Sequence, residues 1–250
     1  MKTLGLIGYP LSHSFSKSYF TEKFRQQGLE GDFRYENFPI EEIGLLPDLL
    51  NANPDITGLN VTIPFKVAVL PFLNKLTVEA KTVGAVNTIR IKRLQHPGKI
   101  ELTGHNTDVA GIESVLRPFI GPIRTSCLVL GSGGASRAVC YVLKKLDLPF
   151  KIVSRNNNQG CISYSSLTPE IIFSSKLIIN TTPLGMYPDI DSAPDLPYAA
   201  LTPDHYLFDL IYNPAVTLFL KKGIEHHSKI LNGLTMLEEQ ADASWAFWNE

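Results

Sequence analysis

The stretch Cys127-Leu128-Val129-Leu130-Gly131-Ser132-Gly133-Gly134-Ala135-Ser136 decides the fold of the second half of this chain. Its apolar start is typical of a buried strand, and a helical pattern continues from Ala135 to Lys145. Glycines in such a turn let the backbone approach a pyrophosphate, and the helix N-terminus attracts the anion. The stretch therefore predicts a strand–turn–helix unit that binds a dinucleotide, although a glycine-rich turn can also be purely structural. Its third fingerprint position is Ser136, a small residue instead of glycine.

The apolar runs that follow this turn are continuous rather than alternating. They are Phe150 to Val153, Leu177 to Ile179, Tyr206 to Ile211 and Ile230 to Leu231. A strand that is covered by helices on both faces has this pattern, because neither face meets water. We therefore predict a Rossmann-like domain built on a doubly wound parallel sheet.

The first 105 residues mix short strands with helices in an α/β pattern. Strands are predicted at Thr3 to Gly8, Phe33 to Phe38, Thr57 to Ile63, Thr88 to Arg93 and Lys99 to His105, and helices at Ser16 to Gln27, Glu41 to Ala52 and Phe65 to Leu73. The turn residues Gln95-His96-Pro97-Gly98 predict a hairpin between the last two strands. We expect this domain to contain a mixed sheet with at least one antiparallel pair.

Composition places the chain among globular proteins without a strong global charge. Its 250 residues are 44% hydrophobic and 19% charged, and the formal net charge is −1. Such a charge gives no long-range attraction for nucleic acid or an anionic membrane, and no run approaches the roughly 20 apolar residues that cross a bilayer. The cysteines and histidines lack the spacing of metal ligands. We expect a cytoplasmic protein that binds no nucleic acid, membrane or metal ion, and a small charged substrate would need a local site.

One lysine stands directly after a rigid turn in Asn60-Val61-Thr62-Ile63-Pro64-Phe65-Lys66. Pro64 has a fixed φ and no N–H, so it ends the apolar strand before it and redirects the chain. A lysine at such a strand exit can be held at the mouth of a cleft and tuned for proton transfer. The alternative is a strand that ends in a solvated lysine.

Seven motifs, including these two stretches, follow one another along the chain. They are Gly8-Tyr9-Pro10-Leu11-Ser12-His13-Ser14-Phe15-Ser16, Asn60 to Lys66, Gly84-Ala85-Val86-Asn87-Thr88, Gly104-His105-Asn106-Thr107-Asp108, Gly131 to Ser136, Asn180-Thr181-Thr182-Pro183-Leu184-Gly185-Met186, and Gly233-Leu234-Thr235-Met236-Leu237 with Gln240-Ala241. In this order they resemble the shikimate dehydrogenase family, which also includes the quinate/shikimate dehydrogenases. The resemblance extends from about Gly5 to Trp248.

The resemblance implies two α/β domains with the active site between them. The substrate-binding domain would comprise residues 1–105 and 233–250, because in the family the last helix, here Met236 to Trp248, packs on the first domain. The NADP-binding domain would comprise residues 106–232. The implied activity is the reversible, NADPH-dependent reduction of 3-dehydroshikimate to shikimate in aromatic amino-acid (chorismate) biosynthesis, by a monomer or a homodimer.

The resemblance also implies which residues bind and convert the substrate. Lys66 and Asp108 would be catalytic, with Lys66 exchanging the proton and Asp108 orienting the substrate hydroxyl. The other substrate contacts would come from Ser14, Ser16, Thr62, Asn87, Tyr212 and Gln240. On the sequence alone, either serine could instead cap a helix, Asn87 could cap a turn, and Asp108 could cap the helix that begins there.

For the cofactor, the resemblance implies contacts from Gly131, Ser132, Gly133, Gly134, Ala135, Ser136, Ser154, Arg155, Thr181, Leu210 and Gly233. Between Lys151 and Gly160 there is no acid that would bind the free 2′-OH of NAD, whereas Arg155 suits the 2′-phosphate of NADP. The family carries a second arginine where this chain has Gln159. NADP is therefore expected, and two alternatives stay open: a quinate/shikimate dehydrogenase that uses NAD, and a catalytically silent ligand-binding relative.

Overall fold

The computed structural model describes residues 1–11, 15–94, 99–122, 124–155 and 160–250. These residues form two compact units, one comprising Met1–Thr107 and Gln240–Glu250 and the other Asp108–Glu239. Each unit contains its own six-stranded sheet. The assignment of residues 1–105 with 233–250 to the substrate, and of residues 106–232 to the cofactor, stays a prediction.

The first unit is built on a mixed sheet. Its strands are β1 (Lys2–Gly8), β2 (Phe33–Pro39), β3 (Ile56–Val61), β4 (Lys75–Leu76), β5 (Thr88–Arg93) and β6 (Ile100–His105), and its helices include α1 (Phe15–Gln27), α2 (Leu46–Ala52), α3 (Phe65–Ala68) and α4 (Val78–Val83). The strand order is β2-β1-β3-β5-β6-β4. β1 pairs in parallel with β2 and β3, whereas β5 pairs antiparallel with β3 and β6. The expected mixed sheet is therefore confirmed.

Prolines divide two segments that the sequence pattern predicts as continuous helices. Between residues 41 and 52, a 3₁₀ turn at Ile43–Leu45 is followed by α2, which has Pro47 in its first turn. Between residues 65 and 73, α3 is followed by a 3₁₀ turn at Leu70–Phe72 that contains Pro71. Proline lacks an N–H and its ring clashes with the preceding helical turn, so it begins a helix rather than continuing one. Both predictions of an unbroken helix were wrong for this reason.

Other differences concern the ends of elements and short elements. β3 ends at Val61, two residues before the predicted end, and β4 and α4 were not predicted. The sequence did carry a signal for α4, because Thr77 caps its N-terminus and Gly84 ends it in a left-handed conformation. The turn predicted at Gln95 to Gly98 lies outside the described residues, while its flanking strands β5 and β6 pair antiparallel.

Aromatic side chains cover one face of the first sheet. The rings of Phe20 and Tyr35 are stacked with centroids 4.7 Å apart, and the Trp248 ring lies 5.4 Å from Phe20. Gly58 leaves room for this indole, because a Cβ there would lie 2.6 Å from Trp248. The indole N–H donates to the Ile89 carbonyl at 3.0 Å. The last turns of the C-terminal helix α9 (Leu234–Trp248) are thereby packed on the sheet of the first unit.

The second unit is a doubly wound parallel sheet. Its strands are β7 (Cys127–Leu130), β8 (Phe150–Val153), β9 (Cys161–Ile162), β10 (Leu177–Asn180), β11 (Tyr206–Asp209) and β12 (Lys229–Leu231), and its helices include α5 (Asp108–Ile120), α6 (Gly134–Lys145), α7 (Pro169–Ser174) and α8 (Leu218–Glu225). The strand order is β12-β11-β10-β7-β8-β9, with parallel pairing between neighbours. The predicted Rossmann-like architecture is confirmed, although β11 ends two residues before the predicted Ile211.

The winding direction reverses at β7, which has β8 on one side and β10 on the other. Ligands of such sheets bind at the carboxyl ends of the strands beside this reversal. β7 and β10 end at Leu130 and Asn180. The segments that follow these two strands begin with Gly131 and Thr181, both of which were predicted to contact the cofactor.

Candidate active site

Gly131 and Thr181 touch at the point where the sheet of the second unit reverses. Gly131 has a φ of 108°, and a Cβ there would lie 2.7 Å from the Thr181 hydroxyl oxygen. The Thr181 amide and hydroxyl both donate to the Leu130 carbonyl, at 2.9 and 2.6 Å. Only glycine fits this position at low cost, because it tolerates a positive φ and has no side chain. The close approach fixes the start of the glycine-rich turn against the end of β10.

Leu210 and Gly233 meet in the same way at the neighbouring strand ends. A Cβ on Gly233 would lie 2.1 Å from the Leu210 carbonyl oxygen, and the Gly233 amide donates to the Ile211 carbonyl at 3.0 Å. The Leu210 amide in turn donates to the Asn180 carbonyl at 3.1 Å. Four predicted cofactor residues therefore lie along one edge of the parallel sheet: Gly131, Thr181, Leu210 and Gly233.

The glycine-rich turn leads into a helix whose N-terminus lacks a side-chain cap. Gly133 is the N-cap residue of α6, has an extended backbone, and has no atom within 4 Å of the Cβ that it lacks. Uncapped amides at a helix N-terminus suit an anion such as a pyrophosphate, because they are donors that need acceptors. The turn thus fits a dinucleotide in its backbone geometry, with half-buried Gly134 and Ala135 opening the helix.

The remaining predicted cofactor residues lie around the end of β8. The Ser132 and Ser154 hydroxyls are 3.2 Å apart, which joins the glycine-rich turn to the end of β8. Arg155 follows Ser154 and is exposed. Ser136 is buried inside α6 and hydrogen-bonds to Cys140, and its predicted contact with the cofactor stays a prediction. Gln159, which stands where the family has a second arginine, lies outside the described residues.

Asp209 at the end of β11 is a fully buried carboxylate that sequence reasoning missed. Its Oδ2 accepts from the Thr217 hydroxyl at 2.6 Å, and its Oδ1 accepts from the Asn180 side-chain amide and the Ile211 amide, each at 3.1 Å. Burial raises the pKa of Asp209 from 3.8 to about 6, and these hydrogen bonds partly oppose that rise. An acid that ends a buried strand is the signal that could have identified it.

In the first unit, the turn with the predicted catalytic lysine is held by backbone hydrogen bonds on both sides. The Thr62 amide donates to the Ile7 carbonyl at 3.0 Å, and the Thr62 carbonyl accepts from the Phe65 amide at 2.8 Å. The Lys66 carbonyl accepts from the Val86 amide at 2.7 Å. Lys66 lies in α3 and is half-buried. Its backbone is therefore tied to the residue that precedes Asn87.

Asn87 is buried, and its side chain connects three segments of the first unit. Its carbonyl oxygen accepts from the Thr107 amide at 2.7 Å. Its amide group donates to the Thr107 hydroxyl at 3.0 Å and to the Gln240 side-chain oxygen at 3.3 Å. The structure thus brings together Asn87 and Gln240, two predicted substrate residues that are 153 positions apart in the chain.

Ser244 is the centre of the buried polar cluster beneath Asn87. Its hydroxyl lies 2.8 Å from that of Thr88 and 3.0 Å from that of Thr107, and it accepts from the Asn60 amide at 2.9 Å. It also donates to the Gln240 carbonyl at 2.9 Å. Ser244 lies one helical turn after Gln240, on the same face of α9, which is the spacing that could have pointed to it. We call Asn60, Asn87, Thr88, Thr107, Gln240 and Ser244 the polar cluster.

The polar cluster extends to Ser16 through one tyrosine. The Tyr35 hydroxyl donates to the Asn60 side-chain oxygen at 2.8 Å, and a side-chain hydrogen bond joins Tyr35 to Ser16. Burial raises the pKa of the Tyr35 hydroxyl, so it stays protonated and remains a donor. Ser16 is therefore joined through side chains to Asn87 and Gln240, while Ser14 lies outside the described residues.

Asp108 and Tyr212, the other two predicted substrate residues, belong to the second unit. Asp108 is the first residue of α5 and is buried. Tyr212 follows β11 and is half-buried, and burial raises the pKa of its hydroxyl. The roles of both, and the pairing of Asp108 with Lys66, stay predictions.

Within the described ranges, no helix is both long and apolar enough to span a membrane. The same residues contain no group of three or more His, Cys, Asp or Glu side chains that could hold a metal ion.

The fold and its sheet edge define a dinucleotide-binding protein with a second α/β unit. A family model described as the shikimate dehydrogenase substrate binding domain matches residues 6–89. A shikimate dehydrogenase (NADP(+)) from Methanococcus maripaludis strain C7 is 37% identical over 264 positions, which cover 99% of this chain and 91% of the relative. The chain belongs to the shikimate dehydrogenase family.

Two solved structures share the fold over nearly the whole chain. Shikimate 5-dehydrogenase from Thermus thermophilus, in complex with NADP(H) and shikimate, is 28% identical with a TM-score of 0.84, covering 99% of this chain and 93% of that one. Quinate dehydrogenase from Corynebacterium glutamicum, in complex with NAD, is 26% identical with the same TM-score of 0.84, and the covered shares are again 99% and 93%. The shared backbone therefore does not by itself select the cofactor.

Asp209 generates a prediction about stability and pH. Because its pKa rises from 3.8 to about 6 on folding, the folded state holds this proton more tightly than the unfolded chain. Its contribution to the free energy of unfolding is complete below pH 3.8 and is lost as the pH rises through about 6. Between about pH 4.5 and about pH 7.5, the free energy of unfolding should therefore fall by about 2 kcal/mol less in Asp209→Asn than in the wild type.

Urea unfolding at the two pH values measures this difference. The control is Asp204→Asn, which neutralises an exposed acid in the same unit and should leave the decline unchanged. The interpretation of Asp209 fails if the two variants follow the wild-type pH dependence equally well.

Proposed function

We propose that this protein is an NADP-dependent shikimate dehydrogenase that interconverts 3-dehydroshikimate and shikimate. The full-length relationship to NADP-dependent shikimate dehydrogenases supports the activity. The observation that carries the proposal at the level of residues is the polar cluster, which joins Asn87, Gln240 and, through Tyr35, Ser16 by side-chain hydrogen bonds. A cytoplasmic location and a monomeric or homodimeric state are further parts of the proposal.

The residue types of this site suit the chemistry of shikimate. The substrate carries one carboxylate and three hydroxyls, so its site needs several neutral donors and acceptors and one ionised partner. Ser16, Thr62, Asn87 and Gln240 supply neutral groups, and Lys66 supplies a positive charge. A hydroxyl-bearing substrate is selected well by such a site, because an analogue that lacks a hydroxyl leaves a buried polar group unpaired.

Lys66 is the proposed proton donor to the substrate oxygen. When bound, NADPH supplies the hydride to the ketone carbon. Lys66 gives a proton to the developing alkoxide in this direction and accepts the proton in the reverse direction. The Lys66 carbonyl accepts from the amide of Val86, the residue before Asn87, which supports a common site for Lys66 and Asn87. Asp108 is proposed to orient the substrate hydroxyl.

Arg155 is the proposed selector of the cofactor. It is exposed at the end of β8, next to Ser154, whose hydroxyl contacts that of Ser132 in the glycine-rich turn. Burial raises the pKa of the Tyr164 hydroxyl, and the positive charge of Arg155 opposes this rise. The guanidinium is therefore near Tyr164, which follows β9 in the chain. A guanidinium there suits a 2′-phosphate, and no acid follows β8 to bind a free 2′-OH.

A substrate panel tests the proposed activity against its alternatives. Shikimate and quinate are each offered with NADP and with NAD, and the appearance of the reduced cofactor is followed. We expect the highest kcat/KM for shikimate with NADP. The highest value for quinate with NAD would establish the alternative quinate/shikimate enzyme, and binding of shikimate without any turnover would establish a silent relative.

Lys66→Ala should fold normally and lose most of its turnover. General acid–base assistance contributes roughly 10²–10⁴-fold, and removal of the proton donor should lower kcat by that factor. Steady-state kinetics measures the loss, and titration with NADPH should give the wild-type affinity. Lys81→Ala, which removes an exposed lysine in α4, is the control and should retain full activity. A Lys66→Ala enzyme with more than about half of the wild-type kcat would exclude this lysine as the proton donor.

Arg155→Ala should lose most of its preference for NADP over NAD. A charge-assisted hydrogen bond is worth about 1.5–3 kcal/mol, so the wild type should prefer NADP by roughly 10- to 150-fold. The measurement is kcat/KM with both cofactors for the wild type, for Arg155→Ala and for Arg124→Ala, an exposed arginine before β7. If the wild type prefers NAD, or if Arg155→Ala discriminates as strongly as Arg124→Ala, Arg155 does not select the cofactor.

A further inference from the structure

Among the residues that the structure describes, no cationic side chain hydrogen-bonds to the carboxylate of Asp209, although such a partner usually stabilises a buried carboxylate. Asp209 is fully buried, and among the described residues the hydrogen bonds to its side chain come from Asn180, Ile211 and Thr217, none of which carries a positive charge. A buried carboxylate without a cation costs stability, and its raised pKa reflects this cost. Such a costly group needs an explanation beyond the packing of the sheet.

The hydrogen bonds of Asp209 join two segments that leave the sheet at neighbouring strands. One is the segment after β11, where Asp209 binds the Ile211 amide two residues later. The other is the segment after β10, which Asp209 reaches through the side chain of Asn180. The carboxylate therefore fixes how these two segments lie against each other at the edge of the sheet.

Asn180 extends this arrangement along the segment after β10. Its side-chain oxygen accepts from the Thr182 amide at 3.0 Å and the Thr182 hydroxyl at 2.7 Å. Its backbone carbonyl accepts from the Leu210 amide at 3.1 Å. Asn180 is itself fully buried, so it has no water with which to replace a lost partner. Asn180 thus binds Leu210 directly and binds Thr182, the residue after Thr181, while Thr181 itself donates to the Leu130 carbonyl.

Thr217 attaches the beginning of α8 to the same carboxylate. Its hydroxyl donates to Asp209 and accepts from the Leu220 amide at 3.3 Å, which makes it the N-cap of α8. The Gly185 segment packs beside it, because a Cβ on Gly185 would lie 3.4 Å from the Thr217 Cβ. The ends of the 181–185 and 210–217 segments are therefore both fixed near Asp209.

We propose that Asp209, together with Asn180, is a positioning residue. The two fix the backbone segments that carry Thr181, Leu210 and Tyr212, so that these three residues can contact the nicotinamide half of the cofactor and the substrate. The inference rests on the proposed function, which assigns those three residues to the ligands. Asp209 touches neither ligand in this account and acts only through the backbone that it fixes. Arg155, the proposed contact of the adenosine half of the cofactor, follows β8 and shares no hydrogen bond with Asp209 or Asn180 among the described residues.

Comparison of two nucleotides tests this division of roles. NADPH contains the nicotinamide half, whereas 2′,5′-ADP contains only the adenosine half with its 2′-phosphate. Asp209→Ala should bind 2′,5′-ADP with the wild-type affinity but bind NADPH more weakly, and its kcat should fall by about 10²-fold, the usual effect of an approximately 1 Å misplacement. Asp209→Asn should recover most of the kcat, because its oxygen can still accept from Asn180 and Ile211 and its amide can donate to the Thr217 oxygen.

A matched pair of capping variants separates positioning from helix stability. Thr217→Val removes the cap of α8 and the donor to Asp209, whereas Thr168→Val removes the cap of α7 and a hydrogen bond to the exposed Glu170. We expect Thr217→Val to lower kcat and the affinity for NADPH, and Thr168→Val to change neither.

Each outcome decides the inference. An equal loss of affinity for both nucleotides in Asp209→Ala would show that Asp209 has a general structural role. Unchanged affinity for NADPH and unchanged kcat would show that Asp209 does not affect the site. Either result overturns the inference, as does an equal effect of Thr217→Val and Thr168→Val. If the wild type binds both nucleotides but does not turn over dehydroshikimate, the proposed activity fails while the two titrations still test Asp209. A wild type that does not bind NADPH overturns both.

Discussion

Buried polar side chains must find hydrogen-bond partners inside the protein, and this constraint determines both halves of the candidate site. A donor or acceptor that loses its partner without access to water costs about 1–3 kcal/mol. In the first unit, Asn60, Thr88 and Ser244 satisfy one another below Asn87. In the second unit, Asp209 and Asn180 do so at the edge of the parallel sheet. The strand ends are therefore held by hydrogen bonds between groups that do not themselves need to touch a ligand.

This arrangement explains how residues far apart in the sequence can act as one site. Gln240 comes from the C-terminal helix, Asn87 from the residue before β5 and Ser16 from α1, yet side-chain hydrogen bonds connect all three. Satisfied buried networks of this kind are rigid, because any displacement breaks several bonds together. A rigid support of this kind suits the proposed function, in which a small polyhydroxylated acid is held in one orientation.

The sequence predicted the features that depend on local pattern. The strand at 127–130, the helix after the glycine-rich turn and the parallel sheet follow from continuous apolar runs and turn chemistry, and they agree with the structure. Pro47 and Pro71 were visible signals whose effect on the helices was underestimated. Ser244 and Tyr35 were not found, because their role depends on contacts with Asn60, which is 184 and 25 positions away in the chain. The spacing of Ser244 from Gln240, one helical turn, was the only local signal for either residue, because contacts with a distant Asn60 leave no pattern in one sequence.

Titration of Ser244→Ala with shikimate and NADPH tests most directly whether the polar cluster organises the substrate site. The variant removes the hydroxyl that contacts Asn60, Thr88 and Thr107, and Ser114→Ala, which removes a helix hydroxyl in the second unit, is the control. The account predicts that Ser244→Ala binds shikimate about tenfold more weakly, the effect of losing about 1.4 kcal/mol, and binds NADPH with unchanged affinity. Wild-type affinity for shikimate in a folded Ser244→Ala protein, or an equal loss of both ligands, would contradict it.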